Sequence, residues 1–572
     1  MKPEPSLMAP FVTASHLVRS FYRIGLRHVI LSPGSRSTPL TMAFSYHPGF
    51  RKQVILDERS AAFTALGIGK ESGKPAILVC TSGTATANYY PAIAEARQAG
   101  VPMIVCTADR PPSLRGIGSS QTLDQLKLYG DKAVWFHELG EPADTDQDRQ
   151  RIEYAAMQAM DESIQTGGAS HLNIPFRKPL EPTASQIESQ KTRIDEQLNQ
   201  PSNESGAEPA LTRAVSLSEA IRDLIKQSER PLVIAGPADP FRRQNKAALS
   251  VAEKLHAPIL AEPGSGIPKH SLRIDRFDQI LRNDDTAGTL APDLIVRFGD
   301  QPFSKSLIQS IHTFRDVPLI RFDSRKSWQD HEMNTRYLIK LKPDDQLDTD
   351  GIHPNEHSDR YFKKWKAAEQ QAGLHLKNSL AEQPNLCDGH IFHHLAESLP
   401  DTWHVMLSNS LPVRDAVLFG YPGGHIFLNR GVAGIDGIIS TATGTARSSG
   451  SPTCCVVGDL AFLHDSNALL SLKNLEAPFV IMVVNNNGGN IFRMLPIHDH
   501  KDVYTTYFET PQNTEIRYLA QAHNLDYRRI KTQNELKKLR FDDTSIHEKP
   551  IVIECVTNPD ESMKLRSGLW GT

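Results

Sequence analysis

The chain has 572 residues, a length that accommodates three or four domains of ordinary size. With 63 basic and 66 acidic residues the formal net charge is -3, so no basic excess favours nucleic acid or an anionic membrane surface. Hydrophobic residues make up 39% and charged residues 23%, which excludes a wholly disordered chain. The N-terminal segment lacks the apolar core of a signal peptide and no stretch reaches about 18 apolar residues, which predicts a soluble, cytoplasmic protein.

In chain order, short apolar runs predict a series of strands, each followed by a stretch compatible with a helix. Continuous apolar runs fit strands that are buried on both faces, as parallel sheets require. The pattern predicts an α/β fold of doubly wound parallel sheets, whose ligands bind beyond the carboxyl ends of the strands. The runs cover residues 28–34, 75–83, 102–111, 231–237, 257–264, 293–300, 317–323, 403–409, 453–460, 478–489 and 549–556.

Two polar stretches divide this series into three α/β blocks, at residues 1–185, 210–345 and 385–572. The first stretch, 186–209, has few large apolar residues and is predicted as a linker. The second, 346–384, is predicted as a linker followed by a surface helix that leads into the last block. Each block is expected to hold one doubly wound parallel sheet.

The six cysteines predict free thiols rather than a disulfide framework or a zinc site. Five of them lie within apolar, β-branched runs, and their spacings match no zinc-binding pattern. Six cysteines are too few for a disulfide scaffold in so long a chain, so buried thiols in a reducing compartment are expected. They are Cys80, Cys106, Cys387, Cys454, Cys455 and Cys555.

Several nucleotide-binding and hydrolase motifs are missing from the sequence. No G-x-G-x-x-G follows a predicted strand, the Walker pattern fails at Gly73 and Lys74, and no G-x-S-x-G elbow occurs. His498, Asp499 and His500 could suggest a metal site. That polar segment has no further ligands at a suitable spacing, so it is predicted as a solvated loop.

The strongest local signal lies at the ends of two successive predicted strands. Gly458 and Asp459 end one strand, and Asn486 and Gly488 follow the next. The 27 positions between Asp459 and Asn486 fit one βαβ crossover, which places both side chains at the same sheet edge. Carboxylate, amide and carbonyl oxygens suit Mg²⁺, and glycines let the backbone approach a diphosphate. Separately the motifs could be ordinary turns that cap helices, but together they predict a cofactor site.

These two motifs resemble the signature of thiamine-diphosphate-dependent enzymes, Gly-Asp-Gly followed one βαβ unit later by Asn-Asn. Leu460 replaces the last glycine of the first motif, at a position that supplies no metal ligand. The resemblance implies thiamine diphosphate as the cofactor and Mg²⁺ or Mn²⁺ as the metal. It gives the metal ligands as Asp459, Asn486 and Gly488, and the neighbouring cofactor-binding residues as Gly458, Asp459 and Asn487.

The family also needs a carboxylic side chain against N1′ of the cofactor's aminopyrimidine, where it promotes removal of the thiazolium C2 proton. The resemblance predicts this residue at a strand end early in the first block, before a helix of small residues. Glu58 fits, and Asp57 before it is the expected helix cap. The alternative is that Glu58 is a surface residue of the first helical turn.

Further matches extend the resemblance over the whole chain. Residues 81–84 and Asn88 match the turn after the third strand of the family's first domain, and Ser82 is expected to contact the cofactor. The three blocks are thereby identified as pyrimidine-binding, central and diphosphate-binding domains.

Flanking strings narrow the resemblance to one branch of the family, the carboligases of menaquinone biosynthesis. The strings cover residues 32–40, 107–112, 409–415, 429–437 and 483–492, and several lie outside the general thiamine signature. Enzymes of this branch decarboxylate 2-oxoglutarate and add the resulting carbanion to isochorismate in a 1,4-fashion. The resemblance therefore implies a transferase with two dicarboxylate substrates.

A nearly neutral protein must bind two dicarboxylates with local Arg and Lys side chains. By motif position, Arg414 and Arg430 are expected at the distal carboxylate of the succinyl group, although each could be a surface charge. The residues expected on the isochorismate side are Arg36, Arg110 and Lys305, with Ser35 and Gln121 as polar partners. The expected catalytic residues are Glu58, Ser35, Arg36 and Gln121.

The remaining expected residues surround the reacting centre. Ile435 resembles the bulky residue that props the bent cofactor, although it could equally be a core isoleucine. Ile491 and Phe492 are expected to form an apolar wall that excludes water from cofactor and substrate. Asn409 and Ser410 resemble polar groups beside the cofactor, and Ser410 also faces the substrate.

Two alternatives stay open at this point. Another thiamine-dependent 2-oxoacid decarboxylase, carboligase or oxidase is the first, but an FAD-using relative would need dinucleotide-binding features that the central block lacks. A non-catalytic paralogue is the second, although Glu58, Asp459 and Asn486 are all retained.

In the family resembled, each site combines the first domain of one chain with the last domain of another, so a homodimer or homotetramer is expected.

Overall fold

The computed structural model describes residues 9–141, 145–199, 213–325, 327–543, 546 and 548–570. These residues form two compact units. Unit 1 is drawn from the ranges Met1–Ala210, Asn429–Gly450 and Asp465–Asn474. Unit 2 is drawn from the ranges Leu211–Leu428, Ser451–His464 and Leu475–Thr572.

The strands alternate with helices along the described chain. They are β1 (His28–Leu31), β2 (Arg51–Val54), β3 (Ala76–Cys80), β4 (Met103–Asp109), β5 (Ala133–Glu138), β6 (Ala169–Pro175), β7 (Ala214–Val215), β8 (Pro231–Ala235), β9 (Ile259–Ala261), β10 (Arg273–Ile274), β11 (Leu294–Phe298), β12 (Leu319–Asp323), β13 (Thr335–Lys340), β14 (Gln346–Leu347), β15 (His404–Leu407), β16 (His425–Leu428), β17 (Thr453–Gly458), β18 (Phe479–Asn485), β19 (Asp526–Ile530) and β20 (Ile551–Val556).

The α-helices cover the faces of the sheets and connect their strands. They are α1 (Ala9–Arg23), α2 (Thr38–Tyr46), α3 (Glu58–Ser72), α4 (Thr84–Ala87), α5 (Tyr90–Ala99), α6 (Asp146–Glu162), α7 (Ala184–Asn199), α8 (Glu219–Gln227), α9 (Asn245–Leu255), α10 (Phe277–Leu281), α11 (Asp284–Thr289), α12 (Lys305–Thr313), α13 (Ser358–Ala381), α14 (Asp388–Ser398), α15 (Leu411–Phe419), α16 (Ile438–Ser449), α17 (Asp459–His464), α18 (Lys501–Tyr504), α19 (Ile516–Ala522), α20 (Gln533–Lys537) and α21 (Pro559–Leu569).

Unit 1 contains the first sheet, a parallel six-stranded sheet in the order β2-β1-β3-β4-β6-β5. Helix α3 covers it and packs closely against α16, which belongs to the same unit. Two glycines permit this approach: a Cβ on Gly67 would lie 2.1 Å from Thr441 O, and one on Gly444 would lie 2.0 Å from Thr64 O. Any larger side chain at either position would separate the two helices.

Unit 2 contains two six-stranded parallel sheets. The central sheet has the order β10-β9-β8-β11-β12-β13, and the third sheet has the order β16-β15-β17-β18-β20-β19. The third sheet therefore repeats the strand order of the first sheet. A further two-stranded sheet pairs β7 with β14. The largest buried cluster of this unit includes Trp365, Phe392, Phe419 and Trp403.

The central sheet has the strand order of dinucleotide-binding domains, with its switch point between β8 and β11. The turns after these strands approach each other so closely that a Cβ on Gly236 would lie 2.2 Å from Asp300 O. Arg242, 7% exposed, donates Nη2 to Asp300 Oδ2 at 2.8 Å across the same place. The turns at the switch point are thus joined by a close backbone approach and an ion pair.

The predicted fold class, doubly wound parallel sheets, is confirmed. Each predicted apolar run contains a strand, and the structure adds strands that were not predicted, such as β5, β6 and β19. Strands β5 and β19 lie at sheet edges and are largely half-exposed. Strand β6 is fully buried but carries polar residues, His171 and Asn173 among them, which interrupt its apolar run. The three large sheets lie within the three predicted blocks, and the block boundaries themselves stay predictions.

The two stretches between the predicted blocks contain more structure than their composition indicates. Helix α7 covers most of the first stretch, and its Ile194 is 4% exposed. Residues 200–209, the rest of that stretch, lie outside the described residues. Helix α13 forms in the second stretch, but Tyr361, Trp365 and Leu376 on it are buried. This helix is therefore part of a core rather than a purely superficial connection.

All six cysteines are buried free thiols, as predicted. Burial raises the pKa of the Cys454 thiol to about 12, which makes it a packing residue rather than a nucleophile. Within the described residues, no helix combines the length and apolarity needed to span a bilayer.

Candidate functional site

The predicted site residues of unit 1 gather at the carboxyl edge of the first sheet. Ser82, two residues after the end of β3, donates its hydroxyl to Gln121 O at 3.0 Å, and Gln121 Nε2 donates to Ser82 O at 3.0 Å. Gln121 has a φ of 54°, a left-handed conformation that the reciprocal bonds hold in place. The structure thus brings a predicted cofactor residue and a predicted substrate residue into direct contact.

Ser35 and Arg36 lie in the turn between β1 and α2. The backbone N–H of Arg36 donates to Thr81 Oγ1 at 3.2 Å, which ties this turn to the end of β3. The Arg36 side chain is buried and donates Nη1 to Phe176 O at 2.7 Å, while its Nε has no partner among the described residues. Beside the turn lies a cleft of about 340 Å³, lined by Leu31, Ser32, Pro33, Gly34, Thr38, Thr41, Met42 and Val54.

Arg110 follows β4 and is anchored at both ends. Its Nη2 donates to Ser120 O at 3.0 Å, in the loop that carries Gln121. Its backbone N–H donates to Asp109 Oδ1 at 2.6 Å. Asp109 is fully buried, which raises the pKa of its carboxyl, and Arg115 Nη2 donates to its Oδ2 at 2.7 Å.

A buried chain of hydrogen-bonded amides, which was not predicted from the sequence, holds the turns of this sheet edge in place. Gln125 Oε1 accepts from Gly83 N at 3.1 Å, and its Nε2 donates to Asn173 Oδ1 at 2.9 Å. Asn173 Nδ2 donates to Asp109 Oδ2 at 2.9 Å and to Glu138 Oε2 at 2.7 Å. Gln125 and Asn173 are both fully buried. The one sequence signal for them is the polar interruption of the otherwise apolar strand β6.

Glu58 begins α3, and Asp57 caps that helix by accepting from Ser60 N at 3.2 Å, as predicted. In the described part of the chain, the Glu58 carboxylate makes no hydrogen bond or ion pair. It is therefore free to interact with a ligand. It faces a cavity of about 350 Å³ lined by Leu56, Asp57, Glu58, Arg59, Asn88, Asn467 and Leu470.

Arg430 and Ile435 belong to unit 1, in the segment that precedes α16. Glu95 on α5 is buried and accepts from Gly431 N at 2.8 Å and from Val432 N at 2.7 Å. These two bonds fix the backbone beside Arg430. Ile435 is half-buried in the turn that leads into α16.

In unit 2, the three predicted metal ligands converge at the carboxyl edge of the third sheet. The Asp459 carboxylate accepts a hydrogen bond from the backbone N–H of Gly488. Asn490 Nδ2 donates to Asn486 Oδ1 at 3.0 Å and to Gly488 O at 3.3 Å. A carboxylate, an amide oxygen and a backbone carbonyl therefore lie around one small polar centre.

The chemistry of this centre fits a divalent cation. Asp459 is 6% exposed, and burial raises its pKa to about 7. No Lys, Arg or His of the described chain forms an ion pair with it, and a buried carboxylate without a counter-charge is costly. The described residues contain no cluster of three His, Cys, Asp or Glu suited to a metal. The donor set here instead includes amide and backbone oxygens, which Mg²⁺ accepts readily.

The glycine-rich turns around this centre have distinct roles. Gly488 has a φ of 135°, and a Cβ there would lie 2.3 Å from Glu509 O, so no other residue fits. A Cβ on Gly458 would meet nothing within 4 Å, which leaves its backbone open to a ligand. Asn487 is exposed and donates Nδ2 to Asn513 Oδ1 at 3.1 Å.

Ile491 and Phe492 follow in a short 3-10 helix and are half-buried. The Phe492 ring meets the Phe508 ring edge to face, with centroids 5.6 Å apart. These side chains therefore place apolar surface directly after the metal-ligand turn.

Ser410 and Arg414 lie at the start of α15, at the end of strand β15. Ser410 has a φ of 73°, an uncommon conformation for a residue with a side chain and one that is frequent at functional sites. Arg414 is exposed and donates Nη1 to Ser410 O at 2.6 Å. Asn409 beside them is buried.

Lys305 is the exposed first residue of α12, at the edge of the central sheet. The buried Glu262 accepts from Ser304 N at 2.7 Å and thereby fixes the start of this helix. Among the described residues, no hydrogen bond or ion pair joins Lys305 to another predicted substrate residue.

Two family descriptions match the chain. Residues 12–128 match "Thiamine pyrophosphate enzyme, N-terminal TPP binding domain", and residues 416–555 match "Thiamine pyrophosphate enzyme, C-terminal TPP binding domain". The first match contains Glu58, Ser82 and Gln121, and the second contains Asp459 and Asn486.

Curated relatives match nearly the full length of the chain. A protein of Trichodesmium erythraeum is 35% identical over 92% of this chain and 92% of its own length. A protein of Desulfitobacterium hafniense is 36% identical over 89% and 90%, and one of Geobacillus kaustophilus is 35% identical over 98% and 97%. All three are named 2-succinyl-5-enolpyruvyl-6-hydroxy-3-cyclohexene-1-carboxylate synthase.

Proposed function

The chain belongs to the family of 2-succinyl-5-enolpyruvyl-6-hydroxy-3-cyclohexene-1-carboxylate (SEPHCHC) synthases, which are thiamine pyrophosphate enzymes, and from this premise we propose its reaction. The chain decarboxylates 2-oxoglutarate and adds the resulting succinyl carbanion to isochorismate, giving SEPHCHC and CO₂ in menaquinone biosynthesis. The observation that carries this proposal is full-length similarity to SEPHCHC synthases together with the convergence of Asp459, Asn486 and Gly488.

Thiamine diphosphate, when bound, supplies the nucleophilic carbon and the electron sink for decarboxylation. Asp459, Asn486 and the Gly488 carbonyl would hold Mg²⁺ or Mn²⁺, and the cation would bind the diphosphate oxygens. Glu58 would hold a proton at the aminopyrimidine N1′, a role that its lack of a partner in the described chain supports.

The basic residues would then orient the two dicarboxylates. Arg36 and Arg110 are each anchored by backbone carbonyls, which leaves part of each guanidinium for a carboxylate. Ser35 and Gln121 lie on the turns next to them and would donate or accept hydrogen bonds on the isochorismate side. We assign Arg414, Arg430 and Ser410 to the succinyl group, and Ile491 and Phe492 to the exclusion of water.

A direct assay tests the reaction itself. Purified protein, Mg²⁺ and thiamine diphosphate are mixed with 2-oxoglutarate and isochorismate, and isochorismate loss and product mass are followed. We expect one CO₂ per product and no product when either substrate is left out. Turnover of 2-oxoglutarate at the same rate without isochorismate would favour a simple decarboxylase, and no turnover at all would favour a non-catalytic paralogue.

Substrate assignments are tested by a comparison of KM values. Each Arg removed leaves one substrate carboxylate without its partner, so KM should rise mainly for that substrate. Arg414→Ala and Arg430→Ala should raise KM for 2-oxoglutarate more than for isochorismate, and Arg110→Ala should do the reverse. Equal effects on both substrates would contradict the division. Lys305→Ala tests the expected isochorismate contact of Lys305 in the same way, and it should raise KM for isochorismate more than for 2-oxoglutarate.

We also assign a homodimer or homotetramer with shared sites in the cytoplasm. Near the Glu58 cavity, Val54 is 67% exposed, Leu56 69% and Leu470 50%, an apolar surface suited to a second copy. If sites are shared, inactive Glu58→Ala and Asp459→Ala chains should complement after subunit exchange. Random mixing should restore about a quarter of the sites. Proven exchange without recovered activity, or a fully active monomer in light scattering, would refute sharing.

A further inference from the structure

The third sheet is supported by a buried ionic network that reaches the metal-ligand turn. Arg566 on α21 is 2% exposed and bridges two carboxylates. Its Nε and Nη2 donate to Asp415 Oδ1 at 2.8 Å and Oδ2 at 2.5 Å, and Nη2 also donates to Asp388 Oδ2 at 2.6 Å. Asp388, at the start of α14, is fully buried. The network joins the consecutive helices α14 and α15 to α21, which lies about 150 positions further along the chain.

Asp388 also contacts a residue assigned to the metal. Asn486 Nδ2 donates to Asp388 Oδ2 at 3.3 Å, while Thr557 Oγ1 donates to Asp388 Oδ1 at 2.6 Å. On the opposite side of the same amide, Asn490 Nδ2 donates to Asn486 Oδ1 at 3.0 Å. The Asn486 amide therefore has an acceptor on its nitrogen side and a donor on its oxygen side.

The orientation of this amide decides what the metal centre receives. An asparagine side chain presents an oxygen on one side and an NH₂ group on the other, and only the oxygen can bind a cation. An Asp388 oxygen can only accept, so it attracts the NH₂ group of Asn486 and leaves the amide oxygen on the side of Asn490 Nδ2, which also contacts the Gly488 carbonyl. Asp415, by contrast, shares Arg566 with Asp388 but has no hydrogen bond to Asn486.

We propose that Asp388 is a positioning residue of the cation site: through its hydrogen bond to Asn486 Nδ2 it keeps the Asn486 amide oxygen directed at the metal, and Arg566 and Thr557 hold Asp388 in place. This proposal rests on the proposed cofactor site. It extends that site to two helices, α14 and α21, that supply no ligand themselves. Such supporting partners typically contribute about 10–100-fold to metal affinity.

The primary test is the Kd of Mg²⁺, titrated by calorimetry into metal-free protein with saturating thiamine diphosphate. Asp388→Ala should raise this Kd roughly 10–100-fold, since the Asn486 amide loses its acceptor and can turn over. Asp415→Ala is the matched control, because it removes a carboxylate from the same network without touching Asn486. Its Kd should stay within about threefold of the wild type, while the melting temperature falls as in Asp388→Ala.

Asp388→Asn separates orientation from charge. An amide oxygen can replace Asp388 Oδ2 if the new NH₂ group donates to Thr557, so the Kd should recover to within about threefold of the wild type. If Asp388→Ala and Asp388→Asn weaken Mg²⁺ equally, charge rather than orientation is responsible and the proposal is overturned. Equal losses in Asp388→Ala and Asp415→Ala would overturn it as well, because they would indicate general destabilisation.

A variant without buried charges covers the case in which Asp388→Ala does not fold. Asp388→Leu, Asp415→Leu and Arg566→Met together remove the whole network, a kind of replacement that proteins often tolerate. The proposal predicts the same loss of Mg²⁺ affinity there, and wild-type affinity would overturn it. Asp459→Ala separates failure of the cation site from failure of the Asp388 proposal. If Asp459→Ala leaves Mg²⁺ binding intact, the proposed cofactor site is wrong. If Asp459→Ala weakens Mg²⁺ binding and Asp388→Ala does not, only the role of Asp388 is overturned.

Discussion

The edges of the first and third sheets share a strand order but are supported by different chemistry. At the third edge, Asp388, Asp415 and Asp459 are buried carboxylates, and Arg566 supplies one positive charge to the first two. At the first edge, Arg115 bridges Asp109 and Glu138 beside the buried amides of Gln125 and Asn173. One arginine is therefore shared by two carboxylates at each edge. The third edge adds Asp459, which forms no ion pair among the described residues, whereas the first edge adds Arg36 and Arg110.

This difference corresponds to what each edge is proposed to bind. A divalent cation needs negative oxygens that are not already neutralised by protein cations. Anionic substrates need cationic side chains that are not already neutralised by carboxylates, and at the first edge Arg36 and Arg110 are anchored by carbonyl groups. Two sheets of one topology therefore acquire opposite preferences through the charged groups that lie outside these ion pairs.

The largest effect is expected at the centre of the third edge. Asp459→Ala should abolish Mg²⁺-dependent binding of thiamine diphosphate, because the cation loses its one charged ligand. Calorimetry with and without EDTA measures this, and Asp499→Ala, an exposed carboxylate of the same unit, serves as the control. Unchanged cofactor affinity in Asp459→Ala would place the cation elsewhere and remove the contrast between the edges.

The next effect concerns the first edge and its proton chemistry. Glu58→Gln keeps the shape of the side chain but not its acidity, so exchange of the cofactor's C2 proton should slow by roughly 10²–10⁴-fold. Proton exchange followed by NMR at saturating cofactor gives the rate. Glu71→Gln, on the same helix, should leave it unchanged. Exchange at the wild-type rate in Glu58→Gln would mean that another carboxylate acts on the cofactor.

A smaller effect tests whether the buried amides support the substrate side. Gln125→Met removes the acceptor of Gly83 N and the donor to Asn173 Oδ1, which leaves buried polar groups unsatisfied at about 1–3 kcal/mol. We expect KM for isochorismate to rise roughly tenfold, with KM for 2-oxoglutarate nearly unchanged. Steady-state kinetics with each substrate varied in turn provides the measurement. Asp124→Ala, an exposed change in the same loop, should alter neither value.

The smallest effect is a dependence of stability on pH in unit 1. Burial raises the pKa of Asp465 to about 7, although Ser440 donates its N–H at 2.8 Å and its hydroxyl at 3.0 Å to the carboxylate. Between an ordinary aspartate pKa near 3.8 and about 7, the native state holds a proton that the unfolded state has lost. This contribution to stability is complete below the lower value and is lost as the pH rises through the higher one.

Asp465→Asn carries no titrating group, so its melting temperature relative to the wild type should increase from pH 5 to pH 8. Fluorimetric melting curves of cofactor-free protein at both values measure the difference, with Asp499→Asn as an exposed control. A relative melting temperature that does not change with pH would show that Asp465 is ionised throughout this range.

Much of the fold and part of the site follow from the sequence because their signals are local. Parallel strands buried on both faces are usually apolar over most of their length, so β17 and β18 can be predicted from the sequence. The turns after them carry Asp459, Asn486 and Gly488 within a few residues of each strand end, and adjacent parallel strands bring those turns together. The cap of α3 by Asp57 is local in the same sense.

The tertiary structure alone decided which distant groups support these residues. Asp388 and Arg566 are separated by 178 positions and Gln125 and Asn173 by 48, and neither pair forms a pattern in the sequence. A charged or amide side chain is expected at the surface unless a partner is buried with it, and that partner is set by how helices and strands pack. Local sequence patterns therefore locate the chemistry at the strand ends. Tertiary packing decides which of these charged groups are left unpaired and can bind a ligand. A buried carboxylate, guanidinium or amide needs a partner, and packing determines which group that partner is.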